Sequence, residues 1–248
     1  MLGLLSRKSK QVQRALPEGE RVYAIGDIHG RSDCLDLLLD KIRADNEERG
    51  PAETTIVFLG DLVDRGPDSR GVVERAEAMR TEHRCIFLMG NHEEIFIKAW
   101  EGDMASARLF HRIGGRETLI SYGVTEEEYD SADFERMIEM LRTHVPAEHI
   151  AFLRRFRDTY AAGDYLFVHA GIRPGTPIDE QDPSDMRWIR DKFLDDKRDH
   201  GAIVIHGHSI TAGVDEQANR IGIDTGAYAS GRLTALGVEG TERWFLSS

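Results

Sequence analysis

The sequence predicts an α/β domain that opens as β-α-β-α-β, carries a helical insertion and closes on antiparallel strands. Two patterns carry that expectation. Five short apolar runs each end in Asp, Asn or His beside glycine, and two amphipathic helical patterns separate the first three runs. Short buried strands separated by helical patterns read as a parallel sheet with right-handed crossovers.

The first run, Arg21-Val22-Tyr23-Ala24-Ile25-Gly26, is a strand that delivers Asp27 and His29. Leu35, Leu38, Leu39 and Ile42 then recur at i, i+3, i+4 and i+7, one face of a helix, with Ser32 or Asp33 as its N-cap. Glu47 to Glu53, around Gly50-Pro51, reads as a loop. The strand over 55–60 stops at Gly60 and delivers Asp61. Gly66-Pro67-Asp68-Ser69 turns the chain into a second helix with Val72, Val73, Ala76 and Met79 on its buried face. The strand over 84–89 delivers Asn91.

Residues 93 to about 162 lack strand signals. Ile95, Phe96 and Trp100, and the mixed segments 131–142 and 146–157, predict helices, punctuated at Gly114-Gly115 and Tyr122-Gly123. Strands return over 165–169, 202–206, 219–224, 232–238 and 242–246. The last three, short and close together, predict an antiparallel meander that extends or faces the first sheet. Residues 20–248 read as one domain, and residues 1–19 as a flexible basic leader, with a weak membrane or partner contact there as an open alternative.

A chain of 248 residues, 40% hydrophobic and 31% charged, is expected to fold as a soluble protein with a full core. A net charge of -12 argues against a nucleic-acid groove or an anionic membrane as the main partner, and leaves room for a local phosphate pocket. Cys34 and Cys85 both lie in apolar patterns. They read as buried thiols, which suits a reducing, cytoplasmic compartment. No run approaches the ~20 apolar residues of a bilayer span, and Met1–Lys8 has too short an apolar core for a signal peptide.

In open α/β sheets, sites form outside the carboxyl ends of the strands. Asp27, His29, Asp61, Asn91, His169 and His206 all sit at such ends, so they can converge although they are far apart in sequence. Carboxylate, amide and imidazole donors without a thiolate suit Mn²⁺, Fe or Zn²⁺. Six protein ligands are too many for one catalytic ion with an open position. They are about right for two ions that share a carboxylate.

These stretches resemble a known family. Gly26-Asp27-Ile28-His29-Gly30, Gly60-Asp61-Leu62-Val63-Asp64-Arg65-Gly66, Gly90-Asn91-His92-Glu93, His169-Ala170-Gly171 and His206-Gly207-His208 are similar, in order and spacing, to the phosphoprotein phosphatases among the calcineurin-like dinuclear metallophosphoesterases, above all the short bacterial and phage-type branch. The resemblance covers about residues 20 to 240. It implies a two-sheet β-sandwich flanked by helices and a pair of divalent ions, Mn²⁺ first, with Fe or Zn²⁺ as alternatives. Asp27 and His29 would bind one ion, Asp61 would bridge, and Asn91, His169 and His206 would bind the other. His208 would ligate or support. Arg65, Arg190 and Asn91 would bind phosphate, with Arg187 the rival of Arg190. His92, oriented by Asp64, would protonate the leaving oxygen while a metal-activated hydroxide attacks phosphorus. His83, His111, His144, His149 and His200 match nothing in the pattern and read as surface or packing residues.

The implied activity is hydrolysis of phosphoserine or phosphothreonine in proteins, or of small phosphoesters. The alternative is hydrolysis of dinucleoside polyphosphates such as diadenosine tetraphosphate. A third reading, a metal-binding scaffold without catalysis, needs neither the acid pair nor Arg65. Asp64 and Glu93 lean toward the first reading. No regulatory subunit can be inferred, and Tyr228 has no match to the tyrosine-containing loop of the longer phosphatases.

Overall fold

The computed structural model describes residues 14–248. The alternating start is present: β1 (Glu20–Ile25), α1 (Ser32–Glu48), β2 (Glu53–Phe58), α2 (Ser69–Glu82) and β3 (Arg84–Phe87). β1 pairs with β2 and β2 with β3, both parallel, in a register that sets Ile25 beside Phe58 and Phe58 beside Phe87. The chain therefore leaves all three strands at the same edge. Leu35, Leu38, Leu39 and Ile42 of α1 and Val72, Val73, Ala76 and Met79 of α2 are buried, as their spacing requires. The expected cap of α1 is not used. Ser32 and Asp33 lie inside the first turn, Arg31 holds the cap position without a side-chain bond to the helix, and its guanidinium instead grips Asp33 and the Ala227 carbonyl.

The insertion is helical through α3 (Asn91–Glu101), α4 (Met104–Ile113), α5 (Gly115–Ser121), α6 (Glu126–Asp130), α7 (Phe134–His144) and α8 (Ala147–Leu153). It ends earlier than expected. Thr159–Ala162 forms β4, which turns through Gly163-Asp164 into β5 (Tyr165–Val168) as an antiparallel pair. The two-residue Gly-Asp turn was the available signal for that hairpin. α9 (Pro183–Trp188), α10 (Asp191–Leu194), β6 (Ile203–His206), β7 (Asp215–Glu216), β8 (Arg220–Gly222), α11 (Ala227–Ser230), β9 (Thr234–Glu239) and β10 (Glu242–Ser247) follow.

Two five-stranded mixed sheets result, ordered β10-β9-β1-β2-β3 and β4-β5-β6-β8-β7. The expected C-terminal meander is thus divided. β9 and β10 form a hairpin that extends the first sheet antiparallel to β1. β8 lies parallel to β6 in the second sheet, because the long 207–219 connection brings the chain back in the same direction.

Alternation along the strands explains why the sheets face each other. Val22, Ala24, Val57, Leu236 and Val238 of the first sheet meet Tyr165, Phe167, Ile203, Ile205 and Ile221 of the second in one buried cluster. The intervening residues Tyr23, Ile25, Ile56 and Phe58 pack outward under α1, α2 and the insertion. Leu166, Val168 and Val204 pack outward with Met186, Ile189 and Phe193. Buried on both faces, these strands read as continuous apolar runs.

Residues 14–16 of the expected leader are packed, and residues 17–19 are exposed. The Leu16 N–H donates to the Gly240 carbonyl at 2.8 Å, the Ala15 N–H donates to Asp164 Oδ2 at 2.9 Å, and Leu16 is buried. The remainder of that leader, residues 1–13, lies outside the described residues. Among the described residues no helix is long and apolar enough to cross a membrane.

Candidate active site

The loops after β1, β2, β3, β5 and β6 converge. Five non-glycine residues among those described have positive φ: His29 (46°), Asp61 (52°), Asp64 (72°), Arg65 (69°) and His208 (62°). All five belong to these loops. Left-handed backbone at non-glycine residues is uncommon and is held only where the surroundings over-determine it.

Asp61 is the centre. Its Oδ2 lies 3.6 Å from His29 Nε2, 3.9 Å from His92 Nε2 and 3.4 Å from His169 Nε2. Burial alone would raise its carboxyl, but His169, His92 and His29 outweigh burial and hold it well below the usual range. His29 Nδ1 donates to the Val63 carbonyl at 2.8 Å, which turns its Nε2 lone pair toward Asp61. Burial, then the charges of His92 and Arg65, push the His29 imidazole down to about 3, so it stays neutral and able to ligate. Among the described residues, two groups could hold a cation: His29 with Asp61 and His92, and Asp61 with His169 and His208.

His208, and not His206, is the histidine of this loop that faces Asp61 and His169. The His206 side chain leaves β6 on the face opposite the inward-facing Ile205. There its ring packs edge-on against Phe193 and its Nε2 sits 3.5 Å from Arg220. Two residues later the left-handed backbone of His208 turns that ring back toward Asp61 and His169. Its Nε2 is buried and has no hydrogen-bond partner. The intervening Gly207 must be glycine, because a Cβ there would stand 2.0 Å from Asp27 Oδ1. The Asp27 carboxylate accepts the His208 N–H at 3.0 and 3.2 Å. Burial, followed by nearby Asp224 and Asp61, drives Asp27 well above the usual range.

The donor set fits divalent cations. Asn91 Oδ1 and Asp61 Oδ2 both face His169 Nε2, at 3.0 and 3.4 Å, while His169 Nδ1 donates to the Leu59 carbonyl. Buried oxygens and imidazoles that face one another, with an orphaned His208 Nε2 beside them, are stabilised by a positive ion. The lone pair of His29 Nε2 here accepts from the Arg65 guanidinium at 3.0 Å, so an ion and Arg65 would be alternatives at that atom.

His92 is oriented from behind. Its Nδ1 donates to Asp64 Oδ2 at 2.7 Å, and its Nε2 accepts from Arg65 at 2.9 Å. Burial opposes protonation of His92, but Asp61 and Asp64 prevail and raise it above the usual histidine value. The Glu93 carboxylate accepts the N–H groups of Asp61, Leu62, Val63 and Gly90, and so builds the turn that presents Asp61. Burial and Asp61 push Glu93 up to about 7. Arg187 is tied to Asp158 at 2.7 Å and approaches Glu94 at 3.6 Å, whereas Arg190 is exposed and its charge bears on His208.

Sequence reasoning missed Thr118, Ser69 and Asp224 at this site and left Tyr228 outside it. Tyr228 stands 5.1 Å from the Arg65 guanidinium and 5.6 Å edge-on from His29. No local motif announces these residues. His149, read as a surface or packing residue, is buried, with its Nδ1 2.8 Å from the Tyr122 hydroxyl.

Comparison with known proteins gives this geometry its family. The family model of the calcineurin-like phosphoesterases matches residues 20–233. The chain is 26% identical over 236 residues to an asymmetrical bis(5'-nucleosyl)-tetraphosphatase of Anoxybacillus flavithermus, with 86% of this chain and 88% of that enzyme covered. It is 27% identical over 222 residues to serine/threonine-protein phosphatase 2 of Salmonella typhimurium, covering 86% and 90%. A symmetrical tetraphosphatase of Acidovorax ebreus is 31% identical over 159 residues, but that match spans 64% of this chain and only 47% of the enzyme. A solved structure provisionally assigned as a diadenosine tetraphosphatase superposes with a TM-score of 0.64 at 22% identity, covering 94% of this chain and 96% of its own. A cold-active protein tyrosine phosphatase gives 0.56 at 17%, covering 96% and 83%. Likeness at these identities concerns the fold. The match over residues 20–233 settles the family: this chain belongs to the calcineurin-like phosphoesterases, metal-dependent hydrolases.

Proposed function

We propose that the chain is a phosphomonoesterase that acts on phosphoserine and phosphothreonine in proteins, with two divalent ions, Mn²⁺ first, as its cofactors. The observation that carries this reading is the 2.7 Å bond between His92 Nδ1 and a fully buried Asp64. An alkoxide is a poor leaving group and needs a proton as it departs, whereas a nucleotide polyphosphate leaves with less help. A buried carboxylate that raises the adjacent imidazole suits the first task. The free thiols Cys34 and Cys85 suit the reducing, cytoplasmic setting we attach to it.

Asp27, His29 and Asp61 would hold one ion, and Asp61, Asn91, His169 and His208 the other, with His208 in place of His206. When bound, the ions supply an activated hydroxide nucleophile and positive charge beside the phosphoryl oxygens. The chain's own residues do the rest. Arg65 offers a planar fork to two phosphoryl oxygens, and Arg190 would supply a second guanidinium. A phosphate that takes the Arg65 fork releases His92 Nε2, which then carries the proton that the leaving oxygen receives. Asp64 holds that imidazole in orientation and stabilises its protonated form.

Hydrolysis of dinucleoside tetraphosphates is the second reading, favoured by the Anoxybacillus relative, which covers most of both chains. Turnover of a phosphoserine peptide, p-nitrophenyl phosphate and diadenosine tetraphosphate by the Mn²⁺-loaded protein decides between them. The proposal expects the peptide and the nitrophenyl ester to be cleaved faster than the dinucleotide at equal concentration. A kcat/KM for the dinucleotide above both esters would replace it with the second reading.

A further inference from the structure

Beyond α3, whose first turn carries Asn91, His92 and Glu93, the helical insertion meets the site at the junction of α4 and α5. From that junction we infer that Thr118 is a positioning residue for the Asp64–His92 pair, an inference that rests on the acid role proposed for that pair.

Thr118 is fully buried on α5, far in sequence from every strand-end motif. Its hydroxyl donates to Asp64 Oδ1 at 2.6 Å and also accepts the Asp64 backbone N–H at 2.9 Å. Asp64 Oδ2 is already bonded to His92. With one oxygen on Thr118 and the other on His92, the carboxylate is fixed about its last bond. A hydroxyl donated to an ionised acceptor is one of the stronger hydrogen bonds available to a side chain. Ser69 Oγ lies 3.0 Å from Thr118 Oγ1 and 3.0 Å from the Asp64 nitrogen, closing the arrangement from α2.

The usual partner of a helical threonine is the carbonyl four residues back. Here that carbonyl, on Gly114, accepts the N–H of Arg65 at 2.9 Å instead. The Ile113 carbonyl also accepts Arg65 Nε, at 3.4 Å. Gly114 permits the approach, since a Cβ on it would stand 2.8 Å from Arg65 Cγ and its φ is +110°. Residues 113–118 therefore grip two consecutive left-handed residues, Asp64 by its carboxylate and backbone and Arg65 by its backbone and guanidinium. The insertion acts here as the jig that sets the acid pair.

The test is a double-mutant cycle in the Mn²⁺-loaded protein. Thr118→Val keeps the shape and removes the hydroxyl. It should lower kcat on a phosphoserine peptide by about tenfold, lower it less on p-nitrophenyl phosphate, and leave both KM values unchanged, since only the leaving oxygen needs the proton. Thr118→Ser should restore kcat. In an Asp64→Asn background, Thr118→Val should cost nothing more, because its effect passes through that carboxylate. The same loss with and without Asp64, or equal loss on both esters, would make Thr118 a packing residue and overturn the inference. An unchanged kcat would overturn it as well. If Thr118→Val does not fold, as judged by circular dichroism, Thr118→Ala takes its place in the cycle. A second readout is independent of the metals: the low-field Nδ1 proton resonance of His92 should move upfield in Thr118→Val and return in Thr118→Ser. Failure of the acid reading looks different. Asp64→Asn would then show equal losses on both esters, and the role of Thr118 would fall with it.

Discussion

The loops that leave the first sheet and those that leave the second reach the same cluster by different means. First-sheet loops interlock through the backbone. Ile28 and His29 N–H groups donate to the Asp61 carbonyl at 3.1 and 2.9 Å, Gly30 donates to Leu62, and Asp68 donates to Gly30. Glu93 then caps the Asp61 turn with its carboxylate. Second-sheet loops bond to each other, Gly207 N–H to the His169 carbonyl at 2.8 Å, but reach across through single side chains. His169 does so through Nδ1 to Leu59, and His208 is received by the Asp27 carboxylate. Dense backbone interlock constrains whole runs of residues, and the three first-sheet motifs are long. Crossing by single side chains constrains one residue at a time, and the second-sheet motifs are short.

The largest effect should come where the two halves share one atom. Asp61→Asn should end turnover and lower metal content, because a neutral amide cannot balance charge between two cations. Two ions per chain by metal analysis, with turnover near wild type, would show that Asp61 does not join the halves.

Next is the assignment within the second half. His208→Asn should weaken Mn²⁺ binding by more than about 100-fold, beyond what loss of an outer partner costs, while His206→Asn should change it by less than about tenfold. Titration calorimetry on both variants checks this, and the reverse order would return His206 to the metal shell. In the first half, Arg65→Ala should cost about 2–4 kcal/mol in kcat/KM, the scale of one lost oxyanion donor. Steady-state kinetics with phosphate inhibition measures it, and an unchanged Ki for phosphate would remove Arg65 from substrate.

The smallest effect is the pH dependence that buried His206 gives to stability. Burial lowers His206 to about 4 in the folded state, against about 6.5 unfolded. The unfolded state therefore binds the extra proton between those values. The stability His206 contributes is present above about 6.5 and is lost as pH falls toward about 4, at up to ~1.4 kcal/mol per pH unit. In His206→Asn the fall in unfolding free energy on acidification should be shallower by that amount. Urea unfolding of the metal-free protein from pH 7 to 4.5 reads it, and an unaltered slope would place His206 in contact with water.

Legibility followed the same division. Asp27, His29, Asp61, Asn91 and His92 stand where their motifs put them, because a strand that ends in Gly-Asp or Gly-Asn is a local signal. The second half misled at His206 because the last residue of a strand points according to the pleat. The ring that faces Asp61 and His169 lies beyond the turn, where His208 is re-aimed by a left-handed backbone no sequence pattern displays. Thr118 was invisible for a related reason: a threonine on a helix carries no mark of a carboxylate fifty-four residues earlier. β4 was missed because four residues at a sheet edge are too few to establish a period, and Leu16 because its anchoring partners lie near the other end of the chain.

The central claim, that His92 is a general acid oriented by Asp64, is tested most directly by the leaving-group dependence of His92→Asn. Its kcat should fall about 10²–10⁴-fold on a phosphoserine peptide and clearly less on p-nitrophenyl phosphate, whose phenolate departs with little help. Metal content should stay at the wild-type value. Equal losses on both esters, with chemistry rate-limiting, would contradict the acid role, and loss of an ion would make His92 a ligand in the group it forms with His29 and Asp61.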